Sequence, residues 1–162
     1  MSTTEPVALS GVQIVFQLPY HEDESIDFVT LGREVLRIFA AGADGLVMAM
    51  VTEVLRLSDE ERHEVARFVC EVAGDRGPLV VSVGAESSHA ACELARQAQR
   101  VGAAAVMAIP PVSIGVEAAQ LTAYYERILE AIDVPVIVQD ASGYVGRPMS
   151  IALQAGLLAN WG

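Results

Sequence analysis

Three observations predict an α/β fold built from repeated βα units. Short apolar runs begin near residues 12, 45, 79, 104 and 134. They show no period-two alternation, which belongs to strands buried on both faces in a parallel sheet covered by helices. A longer amphipathic stretch with helix start and stop signals follows each run.

The elements follow in order. Residues 12–16 read as the first strand, and residues 26–39 as a helix capped by Ser25 and ended by Gly42. Residues 45–49 form the second strand. Ser58 opens the next helix with Glu61 three residues on, a capping box in which each side chain satisfies the other residue's free backbone N–H. That helix stops at Gly74. Residues 79–83 are a third strand, and residues 89–101 a third helix ended by Gly102. Residues 104–108 and 116–132 make the fourth pair. Residues 134–139 are the fifth strand, and residues 151–160, capped by Ser150, the fifth helix. One join repeats in sequence. Residues 41–49 (AGADGLVMA) resemble residues 101–108 (VGAAAVMA), with a glycine ending the helix and small residues leading into the strand. No interdomain linker interrupts the pattern, so residues 1–162 read as a single domain.

Composition narrows the function classes. The chain has 162 residues, 52% of them apolar, and a formal charge of −11. Disorder is excluded by the apolar content, and nucleic acid and anionic membranes are poor partners for so acidic a surface. All 10 basic residues are arginine. No lysine amine is available from this chain for chemistry. Residues 1–10 lack the features of a signal peptide, and the two cysteines, Cys70 and Cys92, fall in expected helices, so a cytoplasmic protein with reduced thiols is expected.

Two architectures accommodate five βα units: a TIM barrel cut short of its eight units, or an open, doubly wound five-stranded sheet. Neither Gly-x-Gly-x-x-Gly nor a P-loop occurs, which counts against a doubly wound nucleotide binder.

Residues 11–162 resemble the front half of the dihydrodipicolinate synthase / N-acetylneuraminate lyase family. Pro19-Tyr20 follows the first strand, and Ser25-Ile26-Asp27 the helix start. Glu53 with Leu57-Ser58-Asp59-Glu60-Glu61-Arg62 matches the end of the family's Gly-Thr-Thr-Gly-Glu segment and the Leu-Ser-x-Glu-Glu-Arg after it. Gly102-Ala103 leads to Pro110-Pro111, and Tyr124-Tyr125 precedes Val134-Pro135-Val136-Ile137-Val138. The resemblance implies a (β/α)8 barrel, usually oligomeric. It also implies aldol-type bond making or breaking on 2-keto acids through a lysine Schiff base, with no cofactor.

Departures fall on chemistry. The family's tyrosine after strand five is Gln139 here, beside Asp140. Met50 replaces a proton-relay hydroxyl, and Pro111-Val112-Ser113 replaces Pro-Tyr-Tyr. The family's lysine lies on strand six, and this sequence stops at Gly162 before a sixth strand. Imine formation requires a primary amine, and arginine stays protonated. The expectation is a truncated relative, inactive alone, with Gln139 and Asp140 as its catalytic candidates. Its substrate-binding candidates are Glu53, Ser113, Tyr144 and Arg147, the last two from the Gly-rich loop where the family binds the substrate carboxylate. The expected partners are a 2-keto acid or aldehyde, and either further copies of the chain or a missing C-terminal half. A non-catalytic assembly module is the alternative. A lyase using Mg²⁺ or Mn²⁺ on Glu53, Glu86 and Asp140 is a second; the simpler expectation is that Glu53 bonds loop backbone and Glu86 caps the third helix. His21 and His63 are expected on the surface. His89 and Cys92, three apart on a helix, have no second pair to complete a metal site.

Overall fold

The computed structural model describes residues 9–145 and 148–162, without the side chains of Tyr144 and Val145. The apolar runs pair as β1 (Gln13–Val15), β2 (Gly45–Met48), β3 (Leu79–Ser82), β4 (Ala105–Ala108) and β5 (Val136–Val138). All pairings are parallel and the strand order is β1-β2-β3-β4-β5. A doubly wound sheet requires that order to reverse at a switch point. Here it never does, so right-handed crossovers place the helices on one face, as in a barrel wall. Among the described residues the sheet is not closed: β1 and β5 each pair on one side only.

The helices are α1 (Phe28–Ala40), α2 (Asp59–Ala73), α3 (Ser88–Arg100), α4 (Ala118–Ala131), α5 (Ser142–Val145) and α6 (Ile151–Trp161). Strand side chains alternate between two environments, following the pleat. On the helix side, Leu46, Met48, Leu79, Val81, Val106 and Ala108 join Leu31, Val35, Val65, Leu94, Tyr125 and Ile128 in the main core. Large side chains such as these are worth about 1.5–3 kcal/mol each when fully buried. The inner side carries a thin cluster of Val47, Ala49, Val80 and Ala105, with Met107 and Ile137 against it. No helix among the described residues is long and apolar enough to cross a membrane.

Helix starts follow local hydrogen bonding. Asp27, not Ser25, caps α1. Ser25 is occupied, its N–H and hydroxyl both donating to Asp23 Oδ1 at 3.1 and 2.6 Å. Ile26 bridges back to Tyr20, keeping the chain extended for two more residues. Asp27 then accepts from the Thr30 N–H at 2.9 Å and hydroxyl at 2.6 Å. The capping box of α2 forms as expected, with Ser58 N–H to Glu61 at 2.8 Å and Glu61 N–H to Ser58 Oγ at 3.2 Å. Gly42, Gly74 and Gly102 take positive φ of 98°, 51° and 96° after their helices. Cys70 and Cys92 are both free.

Candidate functional site

The loops after the C-terminal ends of the strands carry the candidate residues that the structure describes, on the rim where barrels place their chemistry. After β2 the chain makes a 3-10 turn, Met50–Thr52. Fully buried Thr52 holds this turn to the first strand: its hydroxyl donates to the Phe16 carbonyl at 2.7 Å and accepts from the Ala49 N–H at 3.2 Å. Glu53 follows in the left-handed region with φ of 63°. Its carboxylate pairs with Arg56, rather than with loop backbone as expected, because the tight turn brings the arginine three residues on back over it. Tyr20 stands at the same part of the rim. Burial first, and then the nearby Glu53 charge, push its phenol pKa upward.

Glu86, after β3, does not cap α3; Ser87 does, accepting from the Ala90 N–H at 3.2 Å. Glu86 reaches across to the loop after β4. It accepts from the Val112 N–H at 3.0 Å, from the Ser113 N–H at 3.2 Å and from the Ser113 hydroxyl. Desolvation opposes its charge, but these donors outweigh it and hold the carboxyl below its ordinary pKa. Ser113 is therefore present at the rim with its hydroxyl engaged. Behind it, Tyr124 braces both loops from α4, accepting from the Ala85 N–H at 3.1 Å and donating to the Ile109 carbonyl at 3.2 Å. Burial pushes its phenol up to about 12.

At the end of β5, the Gln139 N–H extends the sheet to the Ala108 carbonyl at 2.9 Å. Its side-chain Oε1 is buried without a partner among the described residues. Asp140 accepts from the Ser142 N–H at 3.3 Å and the Met149 N–H at 2.5 Å, closing the loop on itself. Bonding to Ser142, then to Met149, lowers its pKa. Tyr144 lies in α5 by its backbone, and Arg147 falls outside the described residues. Glu86 and Ser113 are thus in direct contact, whereas Glu53 and Asp140 are each tied within their own loops. No group of three metal-ligating side chains converges among the described residues. His21 is exposed, 3.9 Å from Asp27.

Two structural residues carried weaker sequence signals. Arg62 is buried and donates to the Ser82 carbonyl at 2.9 Å. The signal was its position three and four residues before Val65 and Ala66, on the apolar stripe of α2. His63, expected on the surface, is half-buried with Nδ1 fully enclosed.

Comparison with known proteins agrees with this layout. The model of the dihydrodipicolinate synthetase family matches residues 8–160. A 4-hydroxy-tetrahydrodipicolinate synthase from Chlorobium limicola is 30% identical over 155 residues, covering 95% of this chain and 52% of the relative. An L-2-keto-3-deoxyarabonate dehydratase from Azospirillum brasilense is 32% identical over 135 residues, covering 81% of this chain and 44% of its own length. Among solved structures, YagE, a prophage protein of the dihydrodipicolinic acid synthase family from Escherichia coli K12 determined with pyruvate, superposes with a TM-score of 0.89. It is 25% identical, over 93% of this chain and 51% of that one. The chain thus spans about half the length of the relatives it matches. From the first strand to α6, order, spacing and three-dimensional path agree with one set of proteins, and the chain belongs to the dihydrodipicolinate synthetase family.

Proposed function

We propose that residues 1–162 form the five-unit front part of an aldol-type lyase or synthase acting on 2-keto acids, with the imine-forming lysine supplied from outside these residues. The observation that carries this reading is the absence of lysine from a chain that otherwise follows the family from first strand to last helix. Five strands of an eight-stranded wall leave an arc three strands wide. The relatives' greater length supports further βα units as its cover. Within the chain, Gln139 takes the place of the family's tyrosine. A carboxamide donates and accepts hydrogen bonds but does not titrate, so Gln139 orients a substrate oxygen instead of relaying a proton. Asp140 shapes its loop, Tyr144 and Arg147 are assigned to a substrate carboxylate by their sequence positions, and Glu53 and Ser113 line the rim. The free thiols suit a cytoplasmic location.

Incubating the chain by itself with pyruvate and sodium borohydride, followed by intact-mass analysis, is the direct test. No pyruvyl adduct is expected. An adduct on this chain alone would overturn the reading.

A second reading, a non-catalytic binding or assembly module, is favoured by the rim itself. Met50 and Gln139 carry no hydroxyl, and the Ser113 hydroxyl is committed to Glu86. The metal-dependent alternative gains nothing, since Glu86 and Asp140 already accept backbone donors.

A further inference from the structure

The geometry points to a bound water in a small crevice between α2, α3 and β3, held by His63 and Gln97 with Arg62 beside it. A small void of about 10 Å³ lies there, lined by Arg62, His63, Ser82 and Gln97 among apolar neighbours. That is close to the smallest space that admits one water molecule. His63 and Gln97 both line it, and each has a buried side-chain atom, Nδ1 and Oε1, with no partner among the described residues. Left unmet, each would lose the hydrogen bond that water gives it in the unfolded chain.

The stoichiometry selects water over other occupants. With the imidazole proton on Nε2 and the Gln97 oxygen turned inward, both atoms are lone-pair acceptors and need two donors. A water molecule supplies two O–H groups and retains lone pairs of its own. The neighbouring donor is Arg62, 9% exposed, which spends Nη2 on the Ser82 carbonyl at 2.9 Å. A guanidinium carries five N–H donors, so others remain for the water oxygen. A metal cation does not suit a site walled by a buried guanidinium, and an anion would face two acceptor atoms. An apolar ligand would leave both acceptors unmet and is too large for the void.

The arrangement also assigns the His63 tautomer. A water donating to Nδ1 requires the proton on Nε2. The water then joins three elements at the point where β3 ends, just before the loop from which Glu86 clamps the strand-four loop. It is a structural ligand, and the site is independent of the catalytic reading above.

The test uses the unmodified chain. A crystal structure at about 1.5 Å or better should show one water peak within about 2.7–3.2 Å of both His63 Nδ1 and Gln97 Oε1. Nitrogen-15 spectra of the imidazole should show the Nε2–H tautomer for His63, with a water cross-peak to its side chain that persists on a timescale longer than surface hydration. A dry void overturns the proposal. So does a rotated Gln97 amide donating directly to His63, or an Nδ1–H tautomer donating directly to Gln97. Each of these satisfies the same atoms without a ligand.

Discussion

Thr52 shows how one side chain can matter through backbone it alone satisfies. Its hydroxyl serves the Phe16 carbonyl and the Ala49 N–H at once, in a place water does not reach. The near-isosteric Thr52→Val leaves both groups unpaired, and a loss of about 1–3 kcal/mol is expected in urea unfolding. A loss under about 0.5 kcal/mol would mean that the turn re-forms its bonds elsewhere. Glu86 makes a different kind of prediction. Its folded pKa lies below the ordinary glutamate value of 4.5, so its contribution is fully present above that value and is lost as pH falls through the folded one. Glu86→Gln should therefore be less stable than the parent at neutral pH, with the difference shrinking on acidification. A difference that stays constant with pH would remove the charge from the explanation. At this scale the sequence was only partly legible. The family resemblance marked Glu53, Ser113, Gln139 and Asp140 as candidates, each at or beside a position matching or replacing a residue of the family's site. It did not show that Glu86 would bind Ser113, a contact between residues 27 positions apart that depends on how two loops meet in space.

Elements were more legible, because their signals are local. The Ser58–Glu61 box, the Ser150 cap and the glycines after three helices all act within a few residues of themselves. The missed cap at Asp27 has the same origin. Ser25 and Asp27 both suit the role, and the choice between them was made by Asp23 and by the Tyr20–Ile26 bridge. The repeated join offers a clean measurement of backbone strain. Gly42 and Gly102 occupy equivalent positions with φ of 98° and 96°, and an added Cβ at either would meet nothing within 4 Å. Substitution by alanine there introduces no clash, only the left-handed penalty of about 1–2 kcal/mol. Gly42→Ala and Gly102→Ala are expected to lower stability by similar amounts, and the double variant by nearly their sum, since the sites sit after different helices. Unequal effects in chemical denaturation would show that one join relaxes its backbone and the other does not.

For the whole molecule, the repeating unit was readable from spacing, but the choice of architecture was not. Periodicity places apolar residues on both faces of a strand without saying whether the far face meets a second helix layer or the interior of a barrel. Strand order decides, and order is a non-local property. The uninterrupted sequence of parallel pairs gives the sheet a centre and two open edges, and its stability should be graded accordingly. β3 pairs on both sides, and inner-face Val80 is only 1% exposed. β1 and β5 pair on one side each, and Val15, at the end of β1, is 38% exposed on the uncovered face. Beyond β5, Ile151, Leu158 and Trp161 of α6 are 85%, 72% and 43% exposed beside a groove that Val136 and Val138 help to line. Hydrogen exchange on residues 1–162 alone should therefore be slowest for the β3 amides, intermediate in β2 and β4, and fastest in β1, β5 and α6. Addition of whatever covers the open arc should slow the edge strands far more than β3. It should also shift the emission of Trp161, the single tryptophan, to shorter wavelength. Uniform protection across all five strands in the isolated chain would show that the edges are already covered, by self-association or by closure, and that nothing further is needed to complete the wall.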